Sequence, residues 1–227
     1  MKELPILFST PMVQSILEGR KTMTRRLNGL DKIPKDTTFS TYVYKDIAIG
    51  LPATHCIARL FKGQWVETFN LHCPYGEPGD LLWVRETWCK GITKPYHYAA
   101  SVCNPKYDKP DGGWKPSIHM PKAAARIWLQ VQEVRIERLH DITDQDAIAE
   151  GIKREVFPQT GSYCYYFYPC NDLRDDSYID YPKTSFYSLW KSINGKQSWD
   201  ANPWVWVISY QVLSTTGKPD LIEPNKN

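Results

Sequence analysis

The sequence predicts a mainly β domain with short helices, an α+β fold whose strands close into a small barrel or a strongly bent sheet. Three observations carry this. There are roughly six to eight strand-like runs against three short helical patterns. No βαβ alternation appears, which argues against a doubly wound parallel sheet. No internal repeat, low-complexity tract or long linker divides the 227 residues, so a single domain is expected.

The elements follow in order. Residues 4–8 are a short apolar run and read as a buried strand. Thr10 before Pro11 reads as an N-cap followed by proline at the first helical position. Met12, Val13, Ile16 and Leu17 recur at helical spacing and Gly19 supplies the stop, giving a helix over about residues 11–18. The basic residues just beyond its end complement the carbonyl end of the helix dipole. Residues 22–27 begin a second strand. Residues 56–61 and 65–71 read as two strands around Lys62-Gly63-Gln64, and residues 74–80 as a turn cluster. Residues 81–88 have strand composition, with Leu82, Val84 and Glu86 on one face and Trp83, Arg85 and Thr87 on the other.

Residues 104–117 read as a loop on their proline, glycine and lysine content. Residues 123–139 are a long strand-like stretch. Ile127, Leu129 and Val131 keep one parity while Val134 and Ile136 take the other, which predicts a β-bulge or a bend near Gln132. Thr143 and Asp146 form a capping-box pattern for a helix over about residues 144–150, stopped by Gly151. Tyr163, Tyr165, Tyr166, Phe167 and Tyr168 form an aromatic patch, either a stacking lid over single-stranded nucleic acid or a cover for the end of the barrel. Residues 184–194 read as a helix with Phe186, Leu189, Trp190 and Ile193 on one face, ended by Gly195. Residues 204–213 are a closing strand, and the polar tail at 214–227 is expected to fray.

Composition narrows the function class. Hydrophobic residues make up 42% of the chain, too many for a disordered protein. No apolar run approaches the ~20 residues of a membrane span. Glu3, Pro5 and Pro11 interrupt any leader-like start, so a soluble, cytoplasmic protein with no membrane partner is expected. None of the six cysteines forms a C-x-x-C pair. The adjacent pairs His55–Cys56 and His72–Cys73 point to opposite sides of a strand. No metal or cofactor is therefore expected, and the thiols read as reduced, small hydrophobes.

The charge is unevenly spread. The formal net charge is +3. The first 30 residues hold five basic residues against Glu3 and Glu18, and the basic and acidic residues beyond them cancel. The surplus sits beside one motif, Gly19-Arg20-Lys21-Thr22-Met23-Thr24-Arg25-Arg26. Such a cluster is either a solvated face or a footprint for phosphate.

The segment Ile16-Leu17-Glu18-Gly19-Arg20-Lys21-Thr22-Met23-Thr24-Arg25-Arg26 resembles the N-terminal signature of the ASCH domain family, a branch of the PUA-like barrels. Gly79-Asp80-Leu81-Leu82-Trp83-Val84 resembles the family's turn into a central strand. Ile142-Thr143-Asp144 with Ala149-Glu150 resembles its short helix, and residues 204–213 its closing strand. The chain looks most like the larger members found in phages and prophages. The resemblance implies a PUA-like β-barrel that binds RNA or a modified nucleobase. One small bacterial branch is N4-acetylcytidine amidohydrolase, and its catalytic threonine, lysine and glutamate fall on Thr24, Lys21 and Glu150. This chain is far longer than that enzyme, with insertions near 28–72, 90–120 and 152–181.

Chemistry independent of the family is consistent with these roles. An amide hydrolase needs a nucleophile, a proton acceptor and stabilisation of the acyl oxygen. Thr24 can be the nucleophile if Lys21 takes its proton, which requires a lowered lysine pKa. Desolvation, Arg25 and Arg26 push that pKa down, while an adjacent Glu150 pushes it up. Lys21 and Thr24 would face opposite sides of a regular strand, so they converge only if Lys21 lies in the turn after Gly19. Arg20, Arg25, Arg26, Trp83, Arg85 and His119 are the candidates for contacting base or phosphate, by stacking on indole and donation from guanidinium. The alternatives are a non-catalytic nucleic-acid-binding module and a ribonuclease, for which no second acid or base is evident.

Overall fold

The fold was analysed in a computed structural model. It describes residues 1–30, 39–44, 54–61, 64–91, 95–102, 105, 110–156, 163–166 and 181–220. For 39–44, 54–61, 64–70, 163, 164 and 166 only the backbone is described. The aromatic patch at 163–168 and the side chains of Cys56, Cys103, Cys164 and Cys170 lie outside the described residues, Tyr165 excepted.

The molecule is α+β, with mixed sheets and a few short helices. Its centre is a five-stranded sheet built from β1 (Glu3–Leu7), β2 (Met23–Arg26), β6 (Leu81–Arg85), β9 (Trp128–Arg138) and β12 (Trp204–Ser214). The strand order is β1-β6-β9-β12-β2, with β1 parallel to β6 and every other pair antiparallel. Three smaller sheets surround it. They are β3 (Phe39–Tyr44), β4 (Thr54–Phe61) and β5 (Gln64–Leu71); the hairpin β7 (Trp88–Lys90) with β8 (Tyr96–Tyr98); and the hairpin β10 (Lys153–Val156) with β11 (Tyr163–Tyr166). Among the described residues there are also four α-helices, α1 (Thr10–Leu17), α2 (Asp144–Ala149), α3 (Pro182–Asn194) and α4 (Lys196–Asp200), and four short 3-10 turns.

Among the described residues the central sheet does not close into a barrel: β1 and β2 are its two edges and do not pair. This corrects the closed-barrel alternative: among the described residues the sheet is open. The edges flank a common cavity, because Pro5 and Leu7 of β1 and Thr24, Arg25 and Arg26 of β2 line it together. The Arg26 guanidinium crosses the gap, its Nη2 donating to the Leu7 carbonyl at 2.7 Å.

Local corrections have local causes. Residues 4–8 are not a buried strand: β1 buries Ile6 but leaves Leu7 39% exposed, as an edge strand does. Helix α1 takes Ser9 as its N-cap with no side-chain bond, and Thr10 is already helical. Residues 81–88 split after Arg85, where the chain leaves the central sheet and Trp88 begins the β7–β8 hairpin. The expected parity survives the split, with Leu82, Val84 and Glu86 all buried. Helix α3 begins earlier than expected, at Pro182, and its Ile193 is 50% exposed. Gly195, at φ +81, ends α3 and α4 starts at once.

Two sequence readings are visible in detail. Glu133 pairs with Ser209 and Val131 with Tyr210, so Gln132 is the extra residue of a β-bulge. The bulge lets Leu129 and Val131 on one side, and Val134 and Ile136 on the other, all enter the core. Thr143 Oγ1 accepts from the Asp146 amide at 3.1 Å and Asp146 returns the bond, completing the capping box of α2. The main core joins this sheet to α1 and α3. A second cluster of Leu81, Trp88, Met120, Ala124, Ala125 and Trp128 holds the other end. No helix among the described residues is long and apolar enough to cross a membrane.

Candidate functional site

The turn between α1 and β2 places Lys21. Gly19 takes a left-handed φ of +74 that ends α1. The Ser15 carbonyl then accepts from the amides of Arg20 (2.9 Å) and Lys21 (3.1 Å), while the Thr22 amide donates to Ala149 O at 2.8 Å. This stitches the segment between the ends of α1 and α2 and makes Lys21 and Glu150 bridge partners. Gly151 permits the approach. It has a φ of +104, and a Cβ there would stand 3.0 Å from Ser15 Cβ and 3.1 Å from Lys21 Cβ.

Lys21 is wholly buried and its ammonium is saturated. Nζ donates to Glu150 Oε2 (2.7 Å), Glu150 O (2.8 Å) and Met23 O (2.9 Å). Burial pulls its pKa below the ordinary lysine value, outweighing the attraction of Glu150, and the Arg26 and Arg25 charges pull the same way. Arg25 is equally enclosed. It pairs with Glu137, with Asp146 at 2.9 Å and with Glu150 Oε1 at 3.4 Å. Arg135 closes the network through Glu137 (3.1 Å) and Asp146 (3.3 Å). Burial alone would raise the Asp146 carboxyl, but Arg25, Arg135 and the Thr143 backbone together hold it below its usual value. Lys21, Arg25 and Arg135 are thus matched by Glu137, Asp146 and Glu150.

The cavity beside this network has a volume of about 480 Å³, within the range of about 300–1,000 Å³ that small-molecule sites occupy. Thr24 and Glu150 both line it. Lys21 does not; it lies behind Glu150. Among the described residues no hydrogen bond joins the Thr24 hydroxyl to either partner. The apolar walls come from Met12, Leu27 and the α3 residues Phe186, Leu189 and Trp190, and Tyr75 and Asn28 add a polar rim. The Asn28 amide donates to Tyr75 Oη at 2.9 Å.

The other expected contacts divide. Arg85 and Arg26 line the cavity. Arg20 does not: it pairs with Glu18 at 2.6 Å and donates to the Gly151 carbonyl. Trp83 does not either; it is half-buried against the second core cluster, with the Arg85 guanidinium 5.6 Å from its ring. His119 is exposed at the end of a 3-10 turn (Ser117–His119) and is not among the residues that line this cavity. The four-cation motif is therefore no single charged face. Lys21 and Arg25 are neutralised inside, Arg20 is tied to the helix end, and among the described residues Arg26 is the member of the motif that faces the cavity without a carboxylate.

Sequence reasoning missed Glu137, Arg135, Tyr75 and Tyr210. Glu133, Arg135 and Glu137 alternate along β9, a pattern that marks its polar face and could have been matched to Arg25. Tyr210 is buried with its hydroxyl unpartnered, and burial, reinforced by the Glu150 charge, pushes its pKa well above the ordinary value. Cys73 and Cys89 are free thiols, half-buried and buried, as small hydrophobes would be. No family model, no curated protein and no solved structure matches the chain.

Proposed function

We propose that this cavity binds an N4-acylated cytosine and hydrolyses its amide, and that the open sheet is a PUA-like core whose missing closure forms the pocket. One observation carries the reading: Lys21 and Glu150, 129 positions apart, meet at 2.7 Å while Glu150 and Thr24 line one cavity. Aromatic and apolar walls suit a flat base, and the polar rim suits its hydrogen-bonding edge. Thr24 Oγ1 attacks the acyl carbon and the C–N4 bond breaks. Glu150, the member of the pair that faces the cavity, accepts the hydroxyl proton and returns it to the departing N4. Water then releases the acyl group from Thr24 as a carboxylic acid. Lys21 is a positioning residue in this scheme, because all three of its N–H bonds are already donated.

Incubation with N4-acetylcytidine, followed by chromatography of released cytidine, tests the proposal. Turnover is expected from the wild type and from Thr24→Ser at a reduced rate, and none from Thr24→Ala. Absence of turnover in the wild type overturns the hydrolase reading. A second reading, a binding module without catalysis, is favoured by the self-neutralised ion network and the unengaged Thr24 hydroxyl. It predicts RNA affinity with a steep salt dependence and no turnover.

A further inference from the structure

We propose that the ligand carries a phosphate, gripped between Arg26 and Arg85. The inference rests on reading the cavity as a nucleobase site and names the form in which the nucleoside arrives. Both guanidiniums line the cavity, and among the described residues neither meets a carboxylate. Each has its hydrogen bond to a backbone carbonyl, Arg26 to Leu7 O and Arg85 to Ile118 O. The Nε of both is buried with no partner. A guanidinium has five N–H donors, so both retain unused donors, the Nε of each shielded from water.

The two residues belong to different strands, and both line the cavity beside Leu7. Leu7 pairs with Arg85 in the β1–β6 register, and the same Leu7 offers its carbonyl to Arg26. They therefore stand on either side of one residue of the edge strand. Every other cation of the motif is matched internally, leaving these two as the uncompensated positive charges of the wall. Two planar guanidinium forks with open donors match the oxygens of a phosphate dianion. There is also room for the rest of a nucleotide. A second cavity of about 540 Å³ shares Leu7, Met12, Arg26 and Ile193 with the first and continues past Ser9, Thr87 and Ser117.

Isothermal titration of the whole protein with cytidine, cytidine 5′-monophosphate and inorganic phosphate tests this. The monophosphate should bind at least about tenfold more tightly than the nucleoside, with the gain shrinking as salt rises. In Arg85→Gln, and independently in Arg26→Lys, the ratio of the two affinities should fall towards one, with folding checked by circular dichroism. Two variants and a ratio keep a general loss of stability from imitating the result. A short RNA with and without its 5′-phosphate reports the source: equal gain for both supports an internal phosphate, and gain only with the 5′-phosphate supports a terminal one. Equal affinity for cytidine and its monophosphate overturns the proposal. N4-acetylcytidine turnover is followed in parallel. Turnover without any phosphate gain removes this inference and leaves the hydrolase reading, and phosphate gain without turnover does the reverse.

Discussion

Replacing Glu150 by Gln should expose how Lys21 is held. Lys21 is fully buried and the Glu150 side chain is 3% exposed, so solvent screens neither charge. Glutamine keeps the shape and one acceptor but leaves the ammonium without an opposite charge. Arg25 loses only its 3.4 Å contact and keeps Asp146 at 2.9 Å, so the cost falls on Lys21. Removing one partner of a buried pair costs about 3–5 kcal/mol. With a urea slope of about 2–3 kcal/mol per molar, the unfolding midpoint should fall by about 1–2.5 M. The pH dependence fixes the mechanism. Burial already lowers the Lys21 pKa, and losing Glu150 removes what opposes it. The folded variant then binds fewer protons than the unfolded chain, whose lysine titrates near ~10.4. Its stability must therefore rise with pH between the depressed value and that of the unfolded chain. The deficit of Glu150→Gln should be largest at about pH 6 and smaller at about pH 9.5, and Lys21→Met in the same chain should recover most of it. A deficit below about 1 kcal/mol, or one that grows with pH, would refute the buried-pair argument.

Three further outcomes are expected. Gly151→Ala should cost about 1–3 kcal/mol in thermal melts, because its Cβ meets Ser15 and Lys21 at 3.0 and 3.1 Å, and turnover should fall with it as Glu150 shifts. Arg126→Met strands the Glu86 carboxylate, whose side chain is 1% exposed and now receives two bonds of 2.8 Å; about 3 kcal/mol should be lost and largely regained with Glu86→Leu, measured by urea unfolding. Burial pushes the Cys73 thiol up to about 12, so its alkylation by iodoacetamide near pH 8 should be slow in the native protein and fast in urea, followed by mass spectrometry of the Cys73 peptide.

Local features were legible in the sequence because local chemistry decides them. The Gln132 parity change, the Thr143–Asp146 box, the Gly151 stop and the apolar face of α3 each lie within a few residues of their cause. Edge position was not legible: Leu4, Ile6 and Phe8 suggest a buried strand, and only the order of five strands, set far along the chain, makes β1 an edge. Helix α4 follows α3 after a single glycine, so no polar interval marks its start. The pairing of Lys21 with Glu150 was suggested by family resemblance alone, since nothing in either segment encodes the other. Arg25 was read within a cluster that was either a solvated face or a phosphate footprint, because its partners, Glu137 and Asp146, stand far along the chain on β9 and α2. Trp83 lies outside the cavity wall for a related reason: the β7–β8 hairpin supplies the cluster against which it packs.

The gap between β1 and β2 has a bearing on solubility. An unpaired strand edge is a template on which another chain can build, and an open five-stranded sheet has two of them. Here each edge looks across the cavity at the other, Arg26 reaches from one to the backbone of the other, and Pro5 removes a donor from β1 at a position tolerated only at an edge. The opening proposed to take a ligand also turns the two edges towards each other rather than outward. A change that splays the edges apart should therefore appear first as concentration-dependent self-association, while the rest of the sheet is still folded.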